Sequence, residues 1–465
     1  AGSNNTAAGS TTTTMKLFGT DGIRGRTNTE PMTVETILRV AKAMGYILRK
    51  NNGNKRHKVL IGKDTRLSGY MFETALESGF CSMGVDVLLV GPIPTPAIAY
   101  LTESMKADVG IVISASHNPF DDNGIKFFND VGFKLSNGME AEITRIVSNS
   151  HETAALHADP AEIGKAKRID DANGRYISYL KQFLPPHLTL EGLKIVLDCA
   201  NGSGYKVGPT IFSELGATVV PIGVTPDGKN INENCGAVHT EALKAKVIEE
   251  KAHIGIALDG DGDRVMFCDE AGRVYDGDDF LSIIADQEKI YPEVKSGLVG
   301  TVMTNFGLEK KLKQINIPFY RSDVGDRFVV EKMKETKAMF GAEASGHIIS
   351  LKRSTTGDGI LSAILLLNIL REQNKPLSAY HNSFDRLPHE IKNVKVREKK
   401  PFDQMPKVQT AIQDAEKKLH GKGRILVRYS GTEAKARVMV ESEDQNLVHT
   451  LVSEISNVIQ NEIGA

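Results

Sequence analysis

The sequence predicts an α/β protein whose last part is a small α+β unit. Two patterns predict it. Short apolar runs of strand length alternate with helix-period stretches through most of the chain. The tail breaks that alternation, because two strand-like stretches flank a polar loop and precede one amphipathic helix. The 465-residue length suits about three or four domains.

Taken in order, residues 1–14 have no charged or apolar block and read as an expression scar before a start at Met15. Thr33 to Lys50 places Ile37, Val40, Ala41, Met44, Ile47 and Leu48 on one helical stripe. Val59–Ile61 reads as a strand running into G-K-D-T-R-L-S-G, and Val85–Val90 as another. Val109–Ile113 reads as a buried strand. Further strands are expected at L-K-I-V-L-D from Leu193, at I-G-I-A-L before Asp259, and at Leu298–Met303, the last followed by a helix. Ile360–Leu370 is too short to span a bilayer, is broken by Ser362 and Asn368, and reads as a buried helix. Ser383–Pro388 reads as a linker. Beyond it come strands at Ile391–Val396, Arg424–Tyr429 and Arg437–Glu441, then a helix with Leu447, Leu451, Ile455, Val458 and Ile459 on one face. A faint repeat joins G-V-D-V-L-L-V-G from Gly84 to G-A-T-V-V-P-I-G from Gly216, each followed by a proline turn. The expected domains are 15–170, 171–265, 266–384 and 385–465.

The formal net charge of −1 argues against a nucleic-acid or anionic-membrane surface. The four cysteines, Cys81, Cys199, Cys235 and Cys268, lie far apart without a CxxC pair. That fits free thiols in a reducing, cytoplasmic setting better than a disulfide frame or zinc site.

Four loops carry chemistry. In I-S-A-S-H-N-P-F, Pro119 blocks an immediate helix and biases Asn118 away from helical angles. Ser116 and His117 are therefore displayed on a stiff loop at a strand end; alone, an ordinary Ser-Asn-Pro turn would explain it equally well. D-G-D-G-D-R puts Asp259, Asp261 and Asp263 at alternate positions, so in an extended loop three hard oxygen ligands converge on one Mg²⁺ or Ca²⁺. An EF-hand is excluded because its sixth position, which requires Gly, is Arg264. Arg264 suggests an anion beside the metal; the bland alternative is a solvated acidic turn. G-A-E-A-S-G-H offers Glu343, Ser345 and His347 for hydroxyls or a proton, and alone reads as a polar turn. R-Y-S-G-T-E-A-K-A-R offers Ser430, Gly431 and Thr432 between Arg428 and Arg437, a natural phosphate grip or a hairpin with surface arginines. Arg24 and Lys126 add positive charge. N-G-S-G-Y-K-V-G from Asn201 misses the dinucleotide fingerprint by one position at Gly208.

These loops, in this order and spacing, resemble the α-D-phosphohexomutase superfamily from Met15 nearly to the C-terminus. F-G-T-D-G-I-R-G, I-S-A-S-H-N-P-F, P-D-G-K-N-I-N-E-N-C-G-A and T-T-G-D-G-I resemble its bacterial phosphoglucosamine mutase branch. The resemblance implies three similar α/β domains with mixed sheets and a TATA-binding-protein-like cap around a central cleft. It implies that Ser116 carries the phosphoryl group and that Ser116, Asp259, Asp261 and Asp263 hold Mg²⁺. Arg24, His117, Lys126 and His347 then belong to the catalytic set, with Lys126 and His347 as candidates for proton transfer. Arg264, Glu343 and Ser345 serve the sugar phosphate, and Arg428, Ser430, Gly431, Thr432 and Arg437 the non-reacting phosphate. The implied reaction interconverts glucosamine 6-phosphate and glucosamine 1-phosphate through a 1,6-bisphosphate, supplying amino-sugar precursors for the cell wall. Glucosamine or glucose 1,6-bisphosphate is the expected activator. The expected partners are the phosphosugar, a second copy in a homodimer, and a kinase unless Ser116 phosphorylates itself. Two departures stand out: Ala434 where the family has Pro, and Ala342 where it has Gly. The alternatives are a phosphoglucomutase or phosphomannomutase, a non-catalytic cation and phosphosugar sensor, and a phosphatase.

Overall fold

The computed structural model describes residues 16–51, 55–149, 151–431 and 433–465. The expected scar at 1–14 and Thr432 lie outside them. Four sheets follow one another along the chain. The first contains β1 (Ile23–Arg26), β2 (Lys58–Lys63), β3 (Asp86–Pro92), β4 (Val109–Ile113), β5 (Asp122–Phe128) and β6 (Ala166–Arg168), in the order β1-β5-β4-β2-β3-β6. The second contains β7 (Lys194–Asp198), β8 (Thr218–Ile222), β9 (Ile254–Leu258), β10 (Val265–Asp269) and β11 (Val274–Tyr275), in the order β11-β10-β9-β7-β8. The third orders β12 (Leu298–Thr301), β13 (Phe319–Ser322), β14 (Phe340–Ala342) and β15 (Ile348–Ser350) as β13-β12-β14-β15. These three sheets mix parallel and antiparallel pairs. The fourth, β16 (His389–Lys395), β17 (Gly423–Tyr429) and β18 (Lys435–Ser442), is antiparallel with β18 in the centre.

The expected boundary at 265/266 cuts through a sheet. After the acidic loop the chain turns back, and β10 pairs antiparallel with β9 over Val265–Asp269. The apolar alternation of V-M-F-C-D belongs to that sheet, so the second unit runs on through β11.

The stripe read in Thr33–Lys50 forms the helix Val34–Asn51, with Glu35 in its first turn and Arg49 and Lys50 in its last, each favourable to the helix dipole. The faint repeat is one structural unit used twice. Gly84 and Gly216, both with positive φ, follow a helix and lead into β3 and β8, each parallel to the strand before the helix. The helix Gly359–Gln373 is buried all round from Ile360 to Leu370, as a helix apolar on nearly every face must be. Its side chains join a core shared with Leu60, Tyr176, Phe212, Phe267 and Phe340. The tail builds its own core, in which Val438 and Val440 of β18 meet Leu451, Ile455 and Ile459 of the helix Gln445–Ile463. Among the described residues no helix is long and apolar enough to cross a membrane.

The expected linker is pinned to the third unit. Arg386 pairs with Asp276 and Asp279, and Asn305 clamps the Leu387 backbone with two hydrogen bonds of 3.1 Å.

Candidate active site

Three of the four chemistry-bearing loops leave the C-terminal ends of parallel strands, the usual address of sites in open α/β sheets. Ser114–Phe120 follows β4, Asp259–Arg264 follows β9, and Glu343–His347 follows β14. Arg24 and Lys126 sit on β1 and β5, neighbours in the first sheet.

The turn after β4 brings Ser116 to φ 53°. That left-handed angle costs a non-glycine residue roughly 1–2 kcal/mol, so the surroundings must hold it. Ser116 N–H donates to Ser114 Oγ at 2.9 Å. Arg66, fully buried after β2, is ion-paired to Asp64 and donates to the Asn118 carbonyl at 2.6 Å. The Ser116 hydroxyl, 1% exposed, donates to Asp259 Oδ2 at 2.7 Å and lies 3.5 Å from Asp263 Oδ1.

One oxygen from each of Asp259, Asp261 and Asp263 falls within 4.8 Å of the others, and all three residues are buried. Thr95 and Lys126 donate to Asp261 Oδ2 at 2.8 and 3.1 Å, leaving Asp261 Oδ1 buried without a hydrogen-bond partner among the described residues. Burial, with Asp263 and Asp261 alongside, pushes the Asp259 carboxyl well above the usual range. Burial pushes on Asp261 too, but Lys126 overrides it and holds that carboxyl well below the range. Three buried carboxylates cannot all ionise without compensation. An orphaned oxygen among hard oxygen ligands is what a divalent cation would satisfy.

The third loop locks onto the second. Val265 N–H donates to the Gly346 carbonyl at 3.0 Å, and a Cβ on Gly346 would lie 2.3 Å from the Val265 oxygen. Glu343 Oε1 accepts from Gly325 N–H at 3.0 Å, while Ser345 stays exposed. Ala342 causes no disruption, because it is an ordinary strand residue paired with Ile348.

His347 is 2% exposed, with Nε2 3.3 Å from Asp326 and 3.7 Å from Asp263. Lys134 pairs with Asp326 in turn. Burial would lower the His347 pKa, but Asp326 beside it raises it. His117 is half-buried among Arg264, Arg24 and Lys126; burial first, then Arg264 and Arg24, lower it to about 4.

The fourth loop joins β17 to β18 in the cap. Arg428 and Arg437 stand directly opposite each other, and like charges in that position repel. Burial and Arg437 together lower the Arg428 pKa. Both arginines line a cavity of about 260 Å³ with Met303 of the third unit. Arg437 Nε is buried without a hydrogen-bond partner among the described residues. A bound anion would relieve both the repulsion and the orphaned donor. Lys399 donates to the Ser430 carbonyl at 2.6 Å, and the Ser430 hydroxyl accepts from Glu433 N–H at 3.3 Å.

Sequence reasoning missed Asp64, Arg66, Thr95, Asn232, Asp326, Lys134 and Lys399. Two signals could have found some of them. Arg66 stands in a Gly-flanked polar loop at a strand end, and Asn232 in an Asn-rich run too polar for an ordinary turn.

Four family models match the chain in order: phosphoglucomutase/phosphomannomutase alpha/beta/alpha domains I, II and III at residues 15–154, 174–272 and 276–387, and the C-terminal domain at 391–458. A phosphoglucosamine mutase of Anaeromyxobacter sp. (strain Fw109-5) is 48% identical, covering 99% of this chain and 100% of the relative. Another, of Paramagnetospirillum magneticum (strain ATCC 700264 / AMB-1), is 50% identical, covering 97% of this chain and all of its own length (100%). Among solved structures, a phosphoglucomutase/phosphomannomutase family protein from Burkholderia thailandensis shares the fold with a TM-score of 0.78. It is 22% identical and covers 97% of this chain and 99% of its own.

Proposed function

The chain belongs to the phosphoglucomutase/phosphomannomutase family, and we propose that it interconverts glucosamine 6-phosphate and glucosamine 1-phosphate through a phosphorylated Ser116. It is an isomerase of the mutase type. The observation that carries the reading is the Ser116 hydroxyl, buried and 2.7 Å from the first of three clustered carboxylates.

Phospho-Ser116 gives its phosphoryl to the free hydroxyl of the sugar phosphate, and the oxygen–phosphorus bond to Ser116 breaks as the new one forms. The resulting 1,6-bisphosphate turns end for end, and Ser116 takes back the other phosphate. A phosphoserine carries roughly two negative charges at neutral pH. Arg24, Lys126 and Arg264 supply positive charge against them. Asp259, Asp261 and Asp263 fit Mg²⁺, which when bound offsets charge on the phosphoryl oxygens. Glu343 and Ser345 hold sugar hydroxyls. Arg428, Ser430, Gly431, Thr432 and Arg437 hold the phosphate that is not reacting.

Of the candidate proton carriers, Lys126 is engaged by Asp261, and His347 is enclosed beside Asp326 and Asp263. His117 is half-buried and, with its pKa lowered to about 4, neutral at pH 7 but a weak acceptor, so Lys126 and His347 stay the candidates for proton transfer. Glucosamine or glucose 1,6-bisphosphate completes the cofactor set in this reading. The first phosphoryl group comes from that bisphosphate, a kinase or self-phosphorylation. The free cysteines suit a cytoplasmic enzyme, and a homodimer is the assembly we expect.

The test is isomerisation of glucosamine, glucose and mannose 1-phosphates with Mg²⁺ and a trace of hexose 1,6-bisphosphate. Preference for glucosamine 1-phosphate is expected, with Ser116→Ala lowering turnover by at least about 10⁴-fold. Preference for a hexose phosphate would make the chain a phosphoglucomutase or phosphomannomutase. Release of inorganic phosphate would make it a phosphatase, and a phosphate that never leaves Ser116 would make it a sensor.

A further inference from the structure

The left-handed turn at Ser116 presents two carbonyl oxygens to the second unit, those of Ser116 and Asn118. Asn232 meets both. It comes from the loop after β8 and places Nδ2 2.9 Å from the Ser116 oxygen and 3.0 Å from the Asn118 oxygen. With two acceptors at that range the atom must be the amide nitrogen, which carries two hydrogens to give. The metal-loop backbone closes the same space. A Cβ on Gly260 would lie 2.5 Å from the Ser116 oxygen and 2.9 Å from Asn232 Nδ2. Nucleophile loop, acidic loop and Asn232 therefore meet at one closely packed point.

Asn232 is itself fixed. It is 5% exposed and sits at φ 60°, a left-handed angle that asparagine tolerates better than most residues. Its N–H donates to the Ala200 carbonyl at 2.8 Å. The rest of its loop is braced: Asn201 reaches Asn230 O and Cys235 Sγ, and Gly236 N–H donates to Asp198 at 2.7 Å. The run N-I-N-E-N-C-G thus has a physical account, as a rigid arm that ends in one amide.

We propose that Asn232 is a positioning residue for phosphoryl transfer, its amide gripping the Ser116 and Asn118 carbonyls so that Ser116 Oγ points at the clustered carboxylates. The inference rests on Ser116 being the phosphoryl carrier. Asn232 acts through Ser116, so its effect belongs to the chemical step and not to sugar binding. Its Oδ1 is buried without a hydrogen-bond partner among the described residues, so only the nitrogen side of the amide is used.

Two substitutions test this in the full chain. Asn232→Asp keeps the shape but turns an oxygen toward two carbonyls. Asn232→Gly keeps the left-handed backbone at no steric cost and removes the amide. The rate at which Ser116 takes phosphoryl from glucose 1,6-bisphosphate is followed by intact mass, alongside kcat, KM and Tm. Both variants should load Ser116, and turn over, about 10- to 100-fold more slowly, with KM close to the native value and Tm lowered by a few degrees for the two carbonyls left unpaired. Loading of Asn232→Gly at the native rate would overturn the proposal. So would a loss of loading that follows a fall in Tm together with an equal rise in KM, which would mark a purely structural residue. A native chain that never loads Ser116 would strike down the mutase reading itself, a different result from a native chain that loads while the variants load equally fast.

Discussion

A Cβ placed on Gly260 would lie 2.5 Å from the Ser116 carbonyl oxygen, whereas one placed on Gly431 would meet nothing within 4 Å. The two glycines mark the two ends of the candidate site. At the first end, Ser116, the three aspartates and Lys126 are all buried, and the second and third units interlock through Val265 and Gly346. At the second end, Arg428 and Arg437 are half-exposed on a three-stranded sheet with its own core. The difference follows from what each end does in the proposed reaction. A nucleophile must be fixed to fractions of an ångström for transfer to occur. In that reading a phosphate that is only held tolerates an open loop, and the mutase cycle would present two different ends of the sugar to it.

Asp261→Asn attacks the closed end where it has least slack. It removes a charge from a cluster in which one oxygen already lacks a hydrogen-bond partner among the described residues, and it weakens the hold on the buried Lys126. Cation binding, followed by Mn²⁺ electron paramagnetic resonance, should be lost, and turnover should fall by at least about 1000-fold. Tight cation binding that survives the substitution would dissociate the acidic loop from the metal and break the comparison at its strongest point.

Arg437→Ala attacks the open end. A charge-assisted hydrogen bond contributes about 1.5–3 kcal/mol, so KM should rise about 10- to 100-fold. The chemical step should keep most of its rate. A fall in kcat with KM unchanged would mean that the cap takes part in the chemistry, and the division between fixed and adjustable ends would fail.

The same division governs what the sequence reveals. Strands β4, β7 and β9 are legible because they are apolar runs buried on both faces, and the helix at 359–373 because its stretch 360–370 is apolar but for Ser362 and Asn368. The acidic loop is legible because its ligands are adjacent in sequence. The supports are not. Asn232 and Ser116 are 116 residues apart, and Lys134 and Asp326 are 192 apart, so only the fold brings them together. The depth of His347 is equally invisible, since it comes from Asp326 and Gly357, whose Cβ would lie 2.7 Å from Nε2. The return of β10 onto β9 is not legible because the glycine-rich loop before Val265 fits a domain boundary as well as a hairpin, and only the pairing of Val265–Asp269 with Ile254–Leu258 decides between them.

Ala434 offers the finest test of the open end. Lys435 N–H donates to the Glu433 carbonyl at 2.9 Å, an i to i+2 bond that closes a γ-turn around Ala434. Ala434 is not among the residues with positive φ, so the turn is the inverse type, with φ near about −75°. Proline locks φ at about −65°, close enough to fit without strain. Among the described residues none accepts the Ala434 N–H, so the ring removes no hydrogen bond to any of them. Ala434→Pro should therefore stabilise the cap by about 0.4–1 kcal/mol through the unfolded state. Pre-ordering the loop should lower KM by no more than about twofold. A destabilised cap would show that the turn needs the alanine N–H. A large gain in affinity would show that loop disorder, and not the grip of the two arginines, limits phosphate binding.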